Sequence, residues 1–283
     1  LSLDSTHGFI YLSHVDLVLS IIVGLIIMSA YVVIRVPKCG STSIARMMTS
    51  SMPNSKVFDI SSADFDFPKG ENQYIERLRI HKNKIKSNWR IHKRLTFDAV
   101  WNKTNRLIKD NDIILGHLTI DSIKLVGIDK KPITVIRDPL ERILSDYNYC
   151  RSSYNKNGGA SKFYRTKNYA AGNYSLEGYV SYLKENRPVY GRYISRFVLG
   201  ENKVDDPVKF LEQTYFSYGV LERMDLFVDD FYKKSGLSLI QKHANKTNSR
   251  AVTEIPDSAR KSIIEFCEED IHLYQSVRKA IEK

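Results

Sequence analysis

A strand-like run, Tyr31 to Val36, opens directly onto Pro37, Lys38, Cys39, Gly40, Ser41, Thr42 and Ser43, and a helical pattern follows from Ile44. A strand that ends in a short hydroxyl-rich turn and enters a helix gathers unpaired backbone N–H groups at one point. The positive end of the helix dipole lies at the same place. Such a point is a ready site for a phosphate-like anion. Lys38 adds a mobile cation, and the three hydroxyls add donors. The nucleotide-triphosphatase form of this loop has its lysine after the second glycine. Here Lys38 comes before Gly40 and the first glycine is missing. Taken alone, the loop reads equally as a plain strand-to-helix turn.

A second segment sharpens the reading. Ile133 to Ile136 is a short apolar run suited to a buried parallel strand. Arg137 follows it, at the carboxyl end of a strand, where open α/β sheets bind ligands. Pro139 suits the first turn of a helix and Asp138 its N-cap. Ser145 then falls on that helix, and an arginine fork with a hydroxyl suits a terminal phosphate. Asp138 and Arg142 read more simply as a cap and a structural arginine.

Together these segments resemble the sulfotransferases that use 3′-phosphoadenosine 5′-phosphosulfate (PAPS). Within them the chain is most similar to the membrane-bound carbohydrate enzymes, the heparan sulfate and uronyl 2-O-sulfotransferases. The resemblance is carried by Arg35 to Ser43, Gly116 with His117, Lys130 to Arg142, Gly219 to Glu222 with Leu226 and Phe227, and Lys246 with Thr247. It implies that Lys38, Cys39, Gly40, Ser41, Thr42 and Ser43 cradle the 5′-phosphosulfate and that Arg137 and Ser145 bind the 3′-phosphate. It also implies a segment closing over the donor, with Thr247 and Arg250 as contacts. His117 takes the family position of the general base, and Lys38 that of the group stabilising the leaving phosphate. The similar 2-O-sulfotransferases carry a His-Gly-His arrangement, whereas Leu115, Gly116 and His117 keep only its second histidine.

The expected fold class is α/β, a doubly wound parallel sheet flanked by helices in a P-loop-like sulfotransferase fold. The 283 residues suffice for one such domain, and 42% hydrophobic residues supply its core. The net charge of +11 implies an acidic partner. Charge alone does not choose among nucleic acid, an anionic membrane and an acidic polysaccharide. The resemblance implies an acidic polysaccharide or glycan acceptor, and with no nucleic-acid motif present nucleic acid is not expected. Cations crowd the stretch from Arg77 to Arg94. Arg79, Lys82, Lys86 and Arg90 are the candidates there for acceptor binding, and a solvated helix face is the plainer reading. Three cysteines make no disulfide framework and no metal-ligand spacing occurs, so no metal is expected. Two other functions fit less well. One is a P-loop kinase or NTPase, and the other a non-catalytic polyanion-binding protein.

Leu17 to Ile34 is an uncharged, mostly apolar run. Residues 1–30 are therefore set apart from a sulfotransferase domain at 31–283. Removing the strand before the loop leaves Leu17 to Ala30, which as a helix would span about 21 Å against a hydrocarbon core of roughly 30 Å. The region 8–34 is thus a short membrane anchor, a buried element or a truncated start. The resemblance implies a Golgi membrane location with a lumenal catalytic domain. Asn102, Asn173 and Asn245 head glycosylation sequons.

The remaining pattern predicts helices over 44–52, the basic stretch to 94, 97–109, 175–186, 207–213 and 222–234, with one long terminal helix over 258–281. Strands are expected at 56–60, 112–116 and 216–220. Residues 152–173 read as a flexible loop.

Overall fold

Alternate residues of the first strand face opposite ways, and both faces are apolar. In β1 (Ser29–Ile34), Ala30, Val32 and Ile34 enter one buried cluster while Tyr31 and Val33 enter another. A strand buried on both faces belongs in a parallel sheet covered by helices on each side. The computed structural model describes residues 29–61, 75–79, 95–96, 108–124, 129–156, 166–201, 204–240 and 252–283. In it β1 pairs in parallel with β5 (Ile113–Gly116) and β6 (Asp129–Ile136). β2 (Val57–Ser61) extends the sheet beyond β5, and β7 (Ser217–Val220) extends it beyond β6, both parallel. Two antiparallel strands, β3 (Ile75–Arg79) and β4 (Leu95–Thr96), complete the order β4-β3-β2-β5-β1-β6-β7.

One face of the sheet is covered by α1 (Ser41–Ser51), whose Ile44, Met47 and Met48 pack with Tyr31, Val33, Ile113 and Val135. α8 (Met224–Ser235) lies on the same side through Phe227 and Phe231. The other face carries α3 (Pro139–Lys156), α5 (Leu176–Asn186), α6 (Tyr193–Val198) and the terminal α9 (Asp257–Phe266) and α10 (Glu268–Ile281). Short helices α2 (Ile120–Lys124), α4 (Lys167–Asn173) and α7 (Pro207–Thr214) complete the described set. The doubly wound α/β fold expected from the sequence is the fold observed.

Several local expectations need correction. β1 begins at Ser29 and ends at Ile34, two residues earlier than its apolar pattern suggests. α1 begins at Ser41, so the three hydroxyl residues form its first turn. The start of the basic stretch, at Ile75–Arg79, is a strand paired antiparallel with β2 on one side and β4 on the other, so sheet pairing outweighs its helical charge pattern. Residues 152–173 are not all loop: α3 runs on to Lys156, and Thr166 caps α4 by accepting a hydrogen bond from the Tyr169 amide. The 3₁₀ turn Pro188–Arg192 and α6 lay in a stretch given no element. The terminal helix is two helices broken at Cys267, whose amide closes α9 on the Ile263 carbonyl.

The break has a tertiary cause. Asp270 in α10 is fully buried and accepts from the Ile194 and Ser195 amides and the Ser195 hydroxyl, at 2.8–2.9 Å. These bonds satisfy the otherwise orphaned amides at the start of α6. Arg142, also buried, lies 4.0 Å from the same carboxylate and donates to the Tyr190 carbonyl at 2.7 Å. Arg142 is therefore the structural arginine read from the sequence.

Candidate active site

Three strand ends converge. β1, β5 and β6 are adjacent, and the chain leaves each at its carboxyl end through Arg35, His117 and Arg137 respectively. The strand order reverses around β1, which is where such sheets open a crevice for ligands.

The loop after β1 has an unusual backbone. Lys38 and Gly40 both take left-handed φ, 67° and 71°. A non-glycine residue in that region costs on the order of 1 kcal/mol and persists only where its surroundings enforce it. Alternation of this kind curls successive amides toward one point, an anion-binding concavity. The Cys39 amide donates to the Val36 carbonyl at 3.3 Å, closing the turn. At the end of the turn, the Ser43 amide donates to the Gly40 carbonyl at 2.8 Å. The half-buried Thr42 and Ser43 lie beside the buried Ser41 in the first turn of α1. The Cys39 thiol is fully buried, and burial pushes its pKa up to about 12. It stays protonated and fills space, as a small loop residue should.

Arg137 is tied to this loop. Its Nη1 donates to the Lys38 carbonyl at 3.3 Å, and its Nη2 pairs with Glu141 at 3.0 Å. Asp138 caps α3, its Oδ1 accepting from the Leu140 amide at 2.8 Å. Glu222, just past β7, accepts from the Asp138 amide at 3.3 Å and joins the next strand end to the same edge. Ser145 is half-buried in the second turn of α3.

His117 Nδ1 lies 2.6 Å from the Arg35 carbonyl. A carbonyl only accepts, so Nδ1 carries a hydrogen and is the donor of this bond. The Arg35 amide in turn donates to the Gly116 carbonyl at 2.8 Å. The base candidate and the anion loop are thus fastened to each other through adjacent strands.

Lys38 is half-buried, with its ammonium 3.5 Å from the centre of the Tyr149 ring. Burial holds its pKa below the ordinary lysine value. Lys167 and Arg137 add to that effect, and Asp146 and Cys150 oppose it. Beside it lies a buried polar cluster that the sequence reading missed. Asp146 accepts from Lys167 Nζ at 3.2 Å and from the Tyr179 hydroxyl at 2.8 Å, and Lys167 also donates to the Tyr190 hydroxyl at 2.9 Å. Burial alone would raise the Asp146 pKa, but Lys167 and the Tyr179 hydroxyl outweigh it and hold the group below the usual carboxylate value. Asp146 follows Ser145 directly, which was the available signal. Lys167 sat in the segment read as flexible.

The structure therefore brings together Lys38 to Ser43, Arg137 and His117 at one sheet edge, with Ser145 on the adjoining helix. Thr247, Arg250, Lys82, Lys86 and Arg90 lie outside the described residues, and of Arg79 only the backbone, in β3, is described. Among the described residues no cluster of His, Cys, Asp and Glu could hold a metal ion, and no helix is long and apolar enough to cross a membrane.

A hydroxyl-rich anion cradle at the switch point of a parallel sheet is how P-loop-like group-transfer proteins hold a phosphorylated donor. Residues 30–195, more than half of the chain, match the model of the sulfotransferase family, and the chain belongs to that family. Its chemistry is accordingly sulfuryl transfer, and the kinase alternative falls away. No curated protein matches the chain.

Proposed function

We propose that the chain transfers a sulfuryl group from PAPS to a hydroxyl of a carbohydrate acceptor, an acidic polysaccharide of the heparan sulfate kind. The observation that carries this reading is the link between Arg137 and the Lys38 carbonyl, which puts an arginine fork beside the anion loop. PAPS differs from ordinary adenine nucleotides by its 3′-phosphate, and such a fork suits a phosphate bidentately. The loop fits the other end of the donor, since Lys38 and Gly40 already hold the left-handed backbone that turns amides inward. The net charge of +11 supports a polyanionic acceptor. Arg79, Lys82, Lys86 and Arg90 belong to that part of the reading, as do Thr247 and Arg250 on the donor side. Similarity to the 2-O-sulfotransferases and a Golgi lumenal setting complete it.

The residues divide the work as follows. His117 Nε2 accepts the proton of the acceptor hydroxyl as the oxygen bonds to sulfur. The bond from sulfur to the bridging phosphate oxygen breaks, and Lys38 with the loop amides meets the charge left on that oxygen. Arg137 and Ser145 hold the 3′-phosphate and fix the donor in line. Positioning and preorganised charge carry such transfers.

Calorimetry tests the donor reading. The chain should bind 3′-phosphoadenosine 5′-phosphate in preference to 5′-AMP and ATP, and Arg137→Ala should weaken that binding about 10- to 100-fold. Preference for ATP would overturn the reading. His117→Ala should slow transfer to heparan sulfate lacking 2-O-sulfate by on the order of 10²–10⁴-fold with donor affinity retained.

A further inference from the structure

Tyr149 stands one turn beyond Ser145 on α3, so the two share a helix face. Its ring is 60% exposed, and so contributes little to the core. Yet that ring covers the one lysine of the anion loop, 3.5 Å from ammonium to ring centre. Asp146 and Cys150 on α3, Lys167 on α4 and Arg137 after β6 are the titratable and charged groups that act on this ammonium. Asp146 already has two closer partners in Lys167 and Tyr179. What remains to hold Lys38 in place is the ring face, which attracts a cation through its quadrupole without carrying charge of its own. A carboxylate in that position would compete with the donor for the ammonium; a ring competes far less.

We propose that Tyr149 is a positioning residue for Lys38, its ring face keeping the ammonium beside the anion loop before the donor arrives. The charge that forms on the leaving phosphate then meets a cation already in place, with no side chain to be drawn in from water. This inference rests on the PAPS reading of the same site.

The test needs no acceptor, because the 5′-phosphate of 3′-phosphoadenosine 5′-phosphate carries in full the charge that develops on the leaving oxygen. Tyr149→Leu should weaken its binding about 2- to 30-fold, the range of a cation–π contact from exposed to desolvated. Tyr149→Phe, which keeps the ring, should bind within about twofold of the wild type. In ligand-free protein the Lys38 ε-methylene NMR signal, assigned by its loss in Lys38→Ala, should be shifted upfield by the ring. That shift should persist in the Phe variant and vanish in the Leu variant. Titration of the same signal should give a lower Lys38 pKa in the Leu variant, because the ring favours the charged form, and a purely structural role would not move it. Thermal stability should hardly change, since the ring is exposed. A Leu variant that matches the wild type in both affinity and Lys38 signal overturns the inference alone, and so does a Phe variant that behaves like Leu. A wild type that does not bind 3′-phosphoadenosine 5′-phosphate overturns the donor reading and the role of Tyr149 with it.

Discussion

At Gly40 the backbone takes φ 71°, and a Cβ there would lie 2.5 Å from Leu221 Cδ1. Two separate demands, conformation and close approach, fall on one residue. Gly40→Ala should cost about 1–3 kcal/mol in urea unfolding and weaken anion binding. Adding Leu221→Ala should recover only part of that loss, because it removes the contact and leaves the backbone angle. Full recovery in the double-mutant cycle would refute the conformational share. Lys38 accepts the same left-handed angle with a full side chain, and its position is held by the Arg137 contact to its carbonyl. The strand–loop–helix around residue 40 was legible from the motif. The left-handed angle at Lys38 was not, since no local pattern requires it.

Between elements, the tie of α3 to α4 is the most consequential. Asp146 and Lys167 join the helix that carries Ser145 to one that begins after a long connection. The Asp146 pKa is held below the usual carboxylate value, with burial opposed by Lys167 and Tyr179. Below about pH 4 the unfolded chain binds more protons there than the native state, so this contribution is lost on acidification. The Lys167 pKa is raised, because Asp146 outweighs the effect of burial. The native state then keeps a proton that the unfolded chain releases above about pH 10, so the contribution fades on that side too. Lys167→Met should cost about 3 kcal/mol near neutral pH by leaving a buried carboxylate unpaired. Asp146→Asn with Lys167→Met should restore part of that loss and flatten the acid limb of stability against pH. An unchanged acid limb in the double variant would sink the assignment. Helix spans set by local apolar periodicity, such as 175–186 and 207–213, matched α5 and α7 closely. The single helix over 258–281 did not, because α10 turns away at Cys267 to bring Asp270 to the start of α6.

At the scale of the molecule, the sheet is buried on both faces by helices drawn from distant parts of the chain. The edge that carries the candidate site is held by strands far apart in sequence, β1 against β5 and β6. A ligand that bridges loops from these strands should stabilise the whole fold. At 100 times its Kd, 3′-phosphoadenosine 5′-phosphate should add about 2.7 kcal/mol, and the thermal midpoint should rise by roughly 4–5 °C. ATP at the same concentration should raise it much less, and an equal rise with both nucleotides would count against recognition of the 3′-phosphate. Under the proposed acceptor reading, binding of heparan sulfate should weaken steeply with added salt, as screening of a chain with net charge +11 demands.

The sequence by itself determined the parallel α/β class, the strand–loop–helix at Lys38 and the cap at Asp138, because each depends on residues within a few positions of one another. Apolar strands buried on both faces and N-terminal helix signals are local facts. Only the tertiary structure decided that Arg137 reaches the Lys38 carbonyl, that His117 Nδ1 is fixed by the Arg35 carbonyl, and that Tyr149 covers the Lys38 ammonium. Those contacts join segments brought side by side by strand order, and strand order follows from which apolar faces can be buried together. No spacing within any one segment encodes it.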